Sequence, residues 1–211
     1  MLVRFESARY VDSIANVAGL GLSRLGSTPE VAFAGRSNAG KSSAINALVN
    51  RTRLAYASKL PGRTQMLNFF ALDHAKGGGV AGHLVDLPGY GFAKVDIATR
   101  RSWNELVGSY LSGRAQLRGV VLVIDSRRGL LPADEELLAL LRVRDPRQAA
   151  SVHLLLTKAD RIGTVERRAL LAAAAARAAR LPLTATVQLF SAREKEGVED
   201  LRERVAQMLS V

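Results

Sequence analysis

The sequence predicts a three-layer α/β fold: a mostly parallel six-stranded sheet with one antiparallel edge strand and helices on both faces. Three observations point there. Short apolar runs alternate with longer amphipathic or alanine-rich segments, as strand–helix units do. The runs VVLVID at 120–125 and VHLLLT at 152–157 are apolar almost throughout, which suits strands covered on both sides. Gly77, Gly78 and Gly79 separate two strand-like segments and suit a hairpin, the source of the antiparallel member.

Residues 1–29 read as an N-terminal segment packed on a single domain, 30–211. VAFA at 31–34 is a short strand running into glycine, and 41–50 a helix with Ile45 and Leu48 on its apolar side. The basic stretch 51–64 contains Pro61 and Gly62 and reads as a mobile connection. Strands follow at 65–73 and 80–86, then a helix over 98–112, the strand 120–125, a helix over 134–142 and the strand 152–157. An Ala- and Arg-rich helix over 165–180 stops before Pro182. A last strand, 185–190, precedes a helix over 198–209 whose Val198, Leu201, Val205 and Leu209 recur at helical spacing.

The chain has 211 residues and no cysteine, which excludes disulfides and thiol catalysis. No apolar run approaches the roughly 20 residues needed to cross a bilayer, and the first 21 residues lack the apolar core of a secretory signal. The expectation is a cytoplasmic protein. Thirty Lys and Arg against nineteen Asp and Glu give a formal charge of +11, an excess that attracts phosphate polymers, with RNA the expected partner and DNA not.

GRSNAGKS at 35–42 fits G-x-x-x-x-G-K-S between a strand and its helix, the setting that makes it a phosphate loop. Gly35, Arg36, Ser37, Asn38, Ala39, Gly40, Lys41, Ser42 and Ser43 are the candidate phosphate cradle: backbone amides surround the oxygens, and the helix start adds its unpaired amides and dipole. Lys41 reaches the β- and γ-phosphates, and the Ser42 hydroxyl ligates Mg²⁺. DLPG at 86–89 follows another strand; Asp86 orients Mg²⁺ and the Gly89 amide contacts the γ-phosphate. Between them, KLPGRTQ at 59–65 offers Gly62, Arg63 and Thr64, with Thr64 the candidate metal ligand and Thr52 the alternative. Lys41, Thr64 and Gly89 are the expected catalytic set.

TKAD at 157–160 leaves the strand VHLLL. Asp160 can accept from guanine N1 and its exocyclic amine, whereas adenine presents an acceptor there. The Lys158 stem lies along the base plane, with Thr157 beside it. In SAR at 191–193, Ser191 braces the loop and the Ala192 amide donates to O6. Four ordered motif groups make this a P-loop NTPase G domain.

GRSNAGKSSAINAL, KLPGRTQMLNFF, HLVDLPGYGFA, LRGVVLVIDSRRGL, LLTKAD and FSAREKEGVEDL, in that order, resemble the EngB (YihA/YsxC) family of ribosome-biogenesis GTP-binding proteins across essentially the whole chain. Leu60 and Ala192 depart from residues common in relatives without removing a side-chain ligand. The resemblance implies slow GTP hydrolysis, a switch role in assembly of the large ribosomal subunit with its rRNA, and links to cell division and septation. In Ras-like enzymes the residue after the DxxG glycine is a water-positioning glutamine; here it is Tyr90. In related GTPases an asparagine at the place of Asn38 can coordinate K⁺. The competing readings are an occupancy scaffold with negligible hydrolysis and a small-molecule kinase.

Of the remaining residues, His83 and His153 read as structural, Trp103 and Tyr110 as one packed helix face, and Asp125 as a structural or switch-adjacent carboxylate. Arg51, Arg53, Lys59, Arg63, Arg127 and Arg128 are candidate RNA contacts.

Overall fold

Glu30 begins the central strand as a fully buried carboxylate, and its partners explain how such a charge is tolerated. The Arg114 guanidinium pairs with it at 2.6 Å and the Tyr110 hydroxyl donates to it at 3.0 Å, so the charge is met on both oxygens. The computed structural model describes residues 3–22, 25–55, 66–91 and 97–210.

In chain order the elements are β1 (Val3–Ile14), α1 (Val17–Leu22), β2 (Glu30–Gly35), α2 (Lys41–Leu48), β3 (Leu67–His74), β4 (Val80–Asp86) and α3 (Ile97–Gly113). They continue with β5 (Leu117–Asp125), α4 (Pro132–Arg142), β6 (Ser151–Thr157), α5 (Thr164–Ala179), β7 (Ala185–Leu189) and α6 (Val198–Leu209). The sheet order is β1-β3-β4-β2-β5-β6-β7. Neighbours from β4 to β7 pair in parallel, while β3 is antiparallel to both β4 and β1.

The fold class read from the sequence stands, with two corrections of detail. The sheet has seven strands among the described residues, not six, and its one antiparallel strand, β3, lies one place in from the edge. The added strand is β1, inside the segment read only as N-terminal packing. Its register shifts between Arg4 and Arg9 and again between Tyr10 and Asp12, so its burial breaks the two-residue alternation by which a strand is recognised.

Strand β2 shows how the layers form. Val31 and Phe33 face a cluster containing Ile45 and Leu48 of α2 with Leu201 and Val205 of α6. Ala32 and Ala34 face the opposite cluster, built with Leu106 and Tyr110 of α3, Leu137 and Leu141 of α4 and Ala174 of α5. Apolar burial on both faces therefore fixes the sheet between two helical layers. His83 and His153 are buried on strands, as expected, and burial lowers each imidazole to about 4. His153 is held between Thr186 and Gln188.

Candidate functional site

The parallel strands β2, β5 and β6 end on the same side, and all the described motifs gather there. β2 ends at Gly35 and the chain turns through 36–40 into α2. Gly40 is the helix N-cap at φ 106°, ψ 15°, a left-handed conformation that a side chain would strain. No side chain caps this helix, which leaves the amides of its first turn, Lys41 to Ser43, at the helix end in the arrangement that suits an anion. Two loop amides are already engaged: Ala39 donates to the Arg36 carbonyl and Ser37 to the Tyr90 carbonyl, both at 3.0 Å. Asn38 is exposed in a left-handed turn at φ 62°.

Asp86 closes β4, and its carboxylate forms an ion pair with the Lys41 ammonium. Both side chains are largely buried, so a cation and a carboxylate meet at the start of α2 in a setting of reduced screening. Among the described residues no three His, Asp or Glu cluster to hold a metal by themselves. A hydroxyl and one carboxylate next to a phosphate cradle suit Mg²⁺, which takes oxygen ligands, keeps water and shares phosphate oxygens. The loop after β4 lies against the phosphate loop: a Cβ on Gly89 would sit 3.4 Å from Ser37 Cα and N. Tyr90, one residue on, turns its ring into the core, 7% exposed, where burial raises the phenol pKa.

The base-side motifs are joined to the same loop. The Thr157 hydroxyl donates to the carbonyls of Ala39, at 2.5 Å, and Ile124, at 3.0 Å. Lys158, at φ 58°, donates to the Asn38 carbonyl at 2.6 Å and to Asp125 at 2.8 Å. Its stem therefore runs from the TKAD turn across to the phosphate loop. Burial would raise the Asp125 carboxyl, but hydrogen bonds from Arg127 and Lys158 outweigh it and hold the group well below the usual carboxylate range. Ser191, fully buried, donates to Asp160 Oδ1 at 2.7 Å. That bond lowers the Asp160 carboxyl and fixes an ionised acceptor in place. Ala192 follows Ser191 in a turn closed by paired amide–carbonyl bonds between Ser191 and Glu196.

The structure thus brings together Gly35 to Ser43, Asp86, Gly89, Thr157, Lys158, Asp160, Ser191 and Ala192. Gly62, Arg63 and Thr64, with Lys59 and Leu60, lie outside the described residues. Asp125, expected to be a structural or switch-adjacent carboxylate, lies beside the TKAD turn through its ion pair with Lys158. One contributor, Asn46, was not singled out in the sequence. Asn46 accepts from the Leu54 and Ala55 amides and donates to the Ala55 carbonyl, pinning the chain as it leaves α2. Arg127, read as a candidate RNA contact, is paired with Asp125 at 2.6 Å.

Residues 30–158 match the 50S ribosome-binding GTPase family. A probable GTP-binding protein EngB from Aromatoleum aromaticum is 46% identical over 207 residues, covering 98% of this chain and 90% of that protein. A second, from Dechloromonas aromatica, is 42% identical and covers 98% of this chain and 89% of its own length. Among solved structures, a probable GTP-binding protein EngB superposes with a TM-score of 0.63 at 23% identity, over 86% of this chain and 98% of that one. Era in complex with MgGDPNP and nucleotides of 16S ribosomal RNA superposes with a TM-score of 0.65 at 21% identity, over 86% of this chain and 56% of Era. At those identities the structural likeness establishes the fold alone.

Proposed function

The chain belongs to the EngB family of GTP-binding proteins, and from that membership we propose that it is a magnesium-dependent GTPase acting as a switch in assembly of the large ribosomal subunit. The observation that carries the nucleotide reading is the joining of base and phosphate motifs: Lys158 spans from the Asp160 turn to the Asn38 carbonyl. Asp160, braced by Ser191, accepts from guanine N1 and the exocyclic amine, and the Ala192 amide donates to O6. A base with the wrong edge leaves these groups unpaired, which is a large penalty.

Lys41, the α2 amides and the remaining phosphate-loop amides stabilise the charge that develops as water attacks the γ-phosphate. Ser42, Asp86 and Thr64 would hold Mg²⁺, which would supply positive charge to the phosphate oxygens. The Gly89 amide contacts the γ-phosphate; Gly62, Arg63 and Thr64, the candidates from the basic connection 51–64, lie outside the described residues. Tyr90 cannot orient water, because its hydroxyl is bonded to Asp134 in the core. Intrinsic turnover is therefore slow and depends on a partner for acceleration. Potassium bound through Asn38 would add a further positive charge, and equal rates in matched KCl and NaCl would remove that element.

The +11 charge supports an rRNA-bearing partner, bound in the GTP state and released after hydrolysis. Effects on cell division and septation follow indirectly from ribosome supply, with the protein working in the cytoplasm. Among the described residues no helix is long and apolar enough to cross a membrane. Co-sedimentation with large-subunit precursors tests the partner: retention with a non-hydrolysable GTP analogue should exceed retention with GDP, and equal retention would remove the switch.

A further inference from the structure

The loop bearing Gly89 is fastened on both sides of that glycine to helices of one layer. Just before it, the Pro88 carbonyl accepts from the Trp103 indole nitrogen on α3 at 3.1 Å. Just after it, the Tyr90 hydroxyl donates to Asp134 Oδ1 on α4 at 2.6 Å. Asp134 is 1% exposed, and its other oxygen accepts the Leu131 amide at the start of α4 at 2.9 Å. The Tyr90 and Trp103 rings complete the cluster with centroids 5.7 Å apart. On the opposite side, the Tyr90 backbone is bridged to the phosphate loop through the Ser37 amide at 3.0 Å and the Gly35 carbonyl at 3.4 Å. One residue thus touches the phosphate loop with its backbone and α4 with its side chain.

From these contacts we propose that Tyr90 is a positioning residue for GTP recognition: its buried hydroxyl, held by Asp134, sets the loop so that the Gly89 amide meets the γ-phosphate, and the same linkage carries the phosphate state to α3 and α4. This rests on the GTPase reading above. The phenol touches no phosphate and acts only through the loop. Without its hydroxyl, Asp134 keeps a buried oxygen with an unfilled acceptor site, and the loop loses the contact that selects its position. A loop whose position is selected less strongly gains less from the γ-phosphate, whereas GDP, which lacks that contact, is unaffected.

Trp103 is the only tryptophan in the chain, so its emission reports this linkage without a label. The test measures Trp103 emission and calorimetric affinity for GDP and a non-hydrolysable GTP analogue, with Mg²⁺, in the wild-type chain, Tyr90→Phe and Asp134→Asn. The wild type should bind both nucleotides and show different emission with each. Tyr90→Phe should keep its GDP affinity, lose roughly threefold or more of its preference for the analogue, and show a smaller emission difference. Asp134→Asn, whose carbonyl can still accept the Leu131 amide while its NH2 donates to the Tyr90 oxygen, should stay closer to the wild type. An unchanged preference in Tyr90→Phe would overturn the proposal, as would equal losses of both affinities alongside a lower melting temperature, the mark of a purely structural residue. Identical wild-type emission with the two bound nucleotides would overturn it without any variant. A wild type that bound neither nucleotide would instead remove the GTPase reading beneath it.

Discussion

The Thr157 hydroxyl donates a 2.5 Å hydrogen bond to the carbonyl of Ala39, a residue 118 positions earlier in the chain. The end of the strand that carries the base-recognition turn is thereby tied to the middle of the phosphate loop. Thr157→Val keeps the shape and removes the hydroxyl, leaving a buried carbonyl without its donor. Stability should fall by about 1–2 kcal/mol, read from denaturant midpoints. Affinities for GTP and GDP should drop by similar factors while guanine preference is kept, because the bond sets the spacing of the two halves and not the choice of base.

Base choice lies with Asp160. Replacing it by Asn keeps an acceptor for N1–H but turns an amide donor toward the 2-position. That should weaken GTP, whose exocyclic amine is a donor there, and raise relative affinity for xanthosine triphosphate, whose carbonyl accepts. Competitive titration reads the ratio. Ser191→Ala should give a smaller loss in the same assay without reversing preference, since it frees the carboxylate and leaves its chemistry intact. An unchanged preference in Asp160→Asn would remove the base-recognition assignment.

Asp125 is expected to act through Lys158. Asp125→Asn removes the charge that holds the ammonium at 2.8 Å, so the lysine stem should lose its fixed path over the phosphate loop. GTP and GDP affinities should each fall severalfold, with the larger part in the dissociation rate measured by stopped flow. A wild-type dissociation rate would show that Lys158 is held well enough by the Asn38 carbonyl alone.

Acid stability follows from the two buried histidines. Each imidazole is lowered from 6.5 to about 4 in the folded chain, chiefly by burial. The unfolded chain binds these protons first as pH falls, so stability is fully present above pH 6.5 and declines from there toward pH 4, then levels off for these groups. The full effect is on the order of 3 kcal/mol per histidine. Denaturant unfolding at pH 7.0, 5.5 and 4.5 should show the decline, and Asp125, held well below the usual carboxylate range, contributes nothing to it across that window. His153→Gln should flatten the profile by about half.

Much of the fold and most of the candidate site were legible because they rest on local patterns. Strand β2 running into GRSNAGKS, DLPG at the end of β4 and TKAD at the end of β6 each announce themselves within a few residues. The contributors that stayed hidden depend on distant partners. Glu30 reads as a polar strand start until Arg114 and Tyr110, more than eighty residues away in one case, are seen to enclose it. Tyr90 stands where a water-positioning side chain is expected, and nothing local says that Asp134, 44 positions on, draws its hydroxyl inward. Strand β1 escaped notice because its register shifts scramble the alternation that marks a strand.

Single-turnover release of inorganic phosphate from GTP and from ATP, with and without Mg²⁺, by the purified chain and its Lys41→Ala variant tests the GTPase reading most directly. Slow release from GTP that needs Mg²⁺ and Lys41 is expected, faster when large-subunit precursors are added, with none above background from ATP. Equal release from ATP, or GTP-dependent release that survives both removal of Mg²⁺ and loss of Lys41, would contradict it.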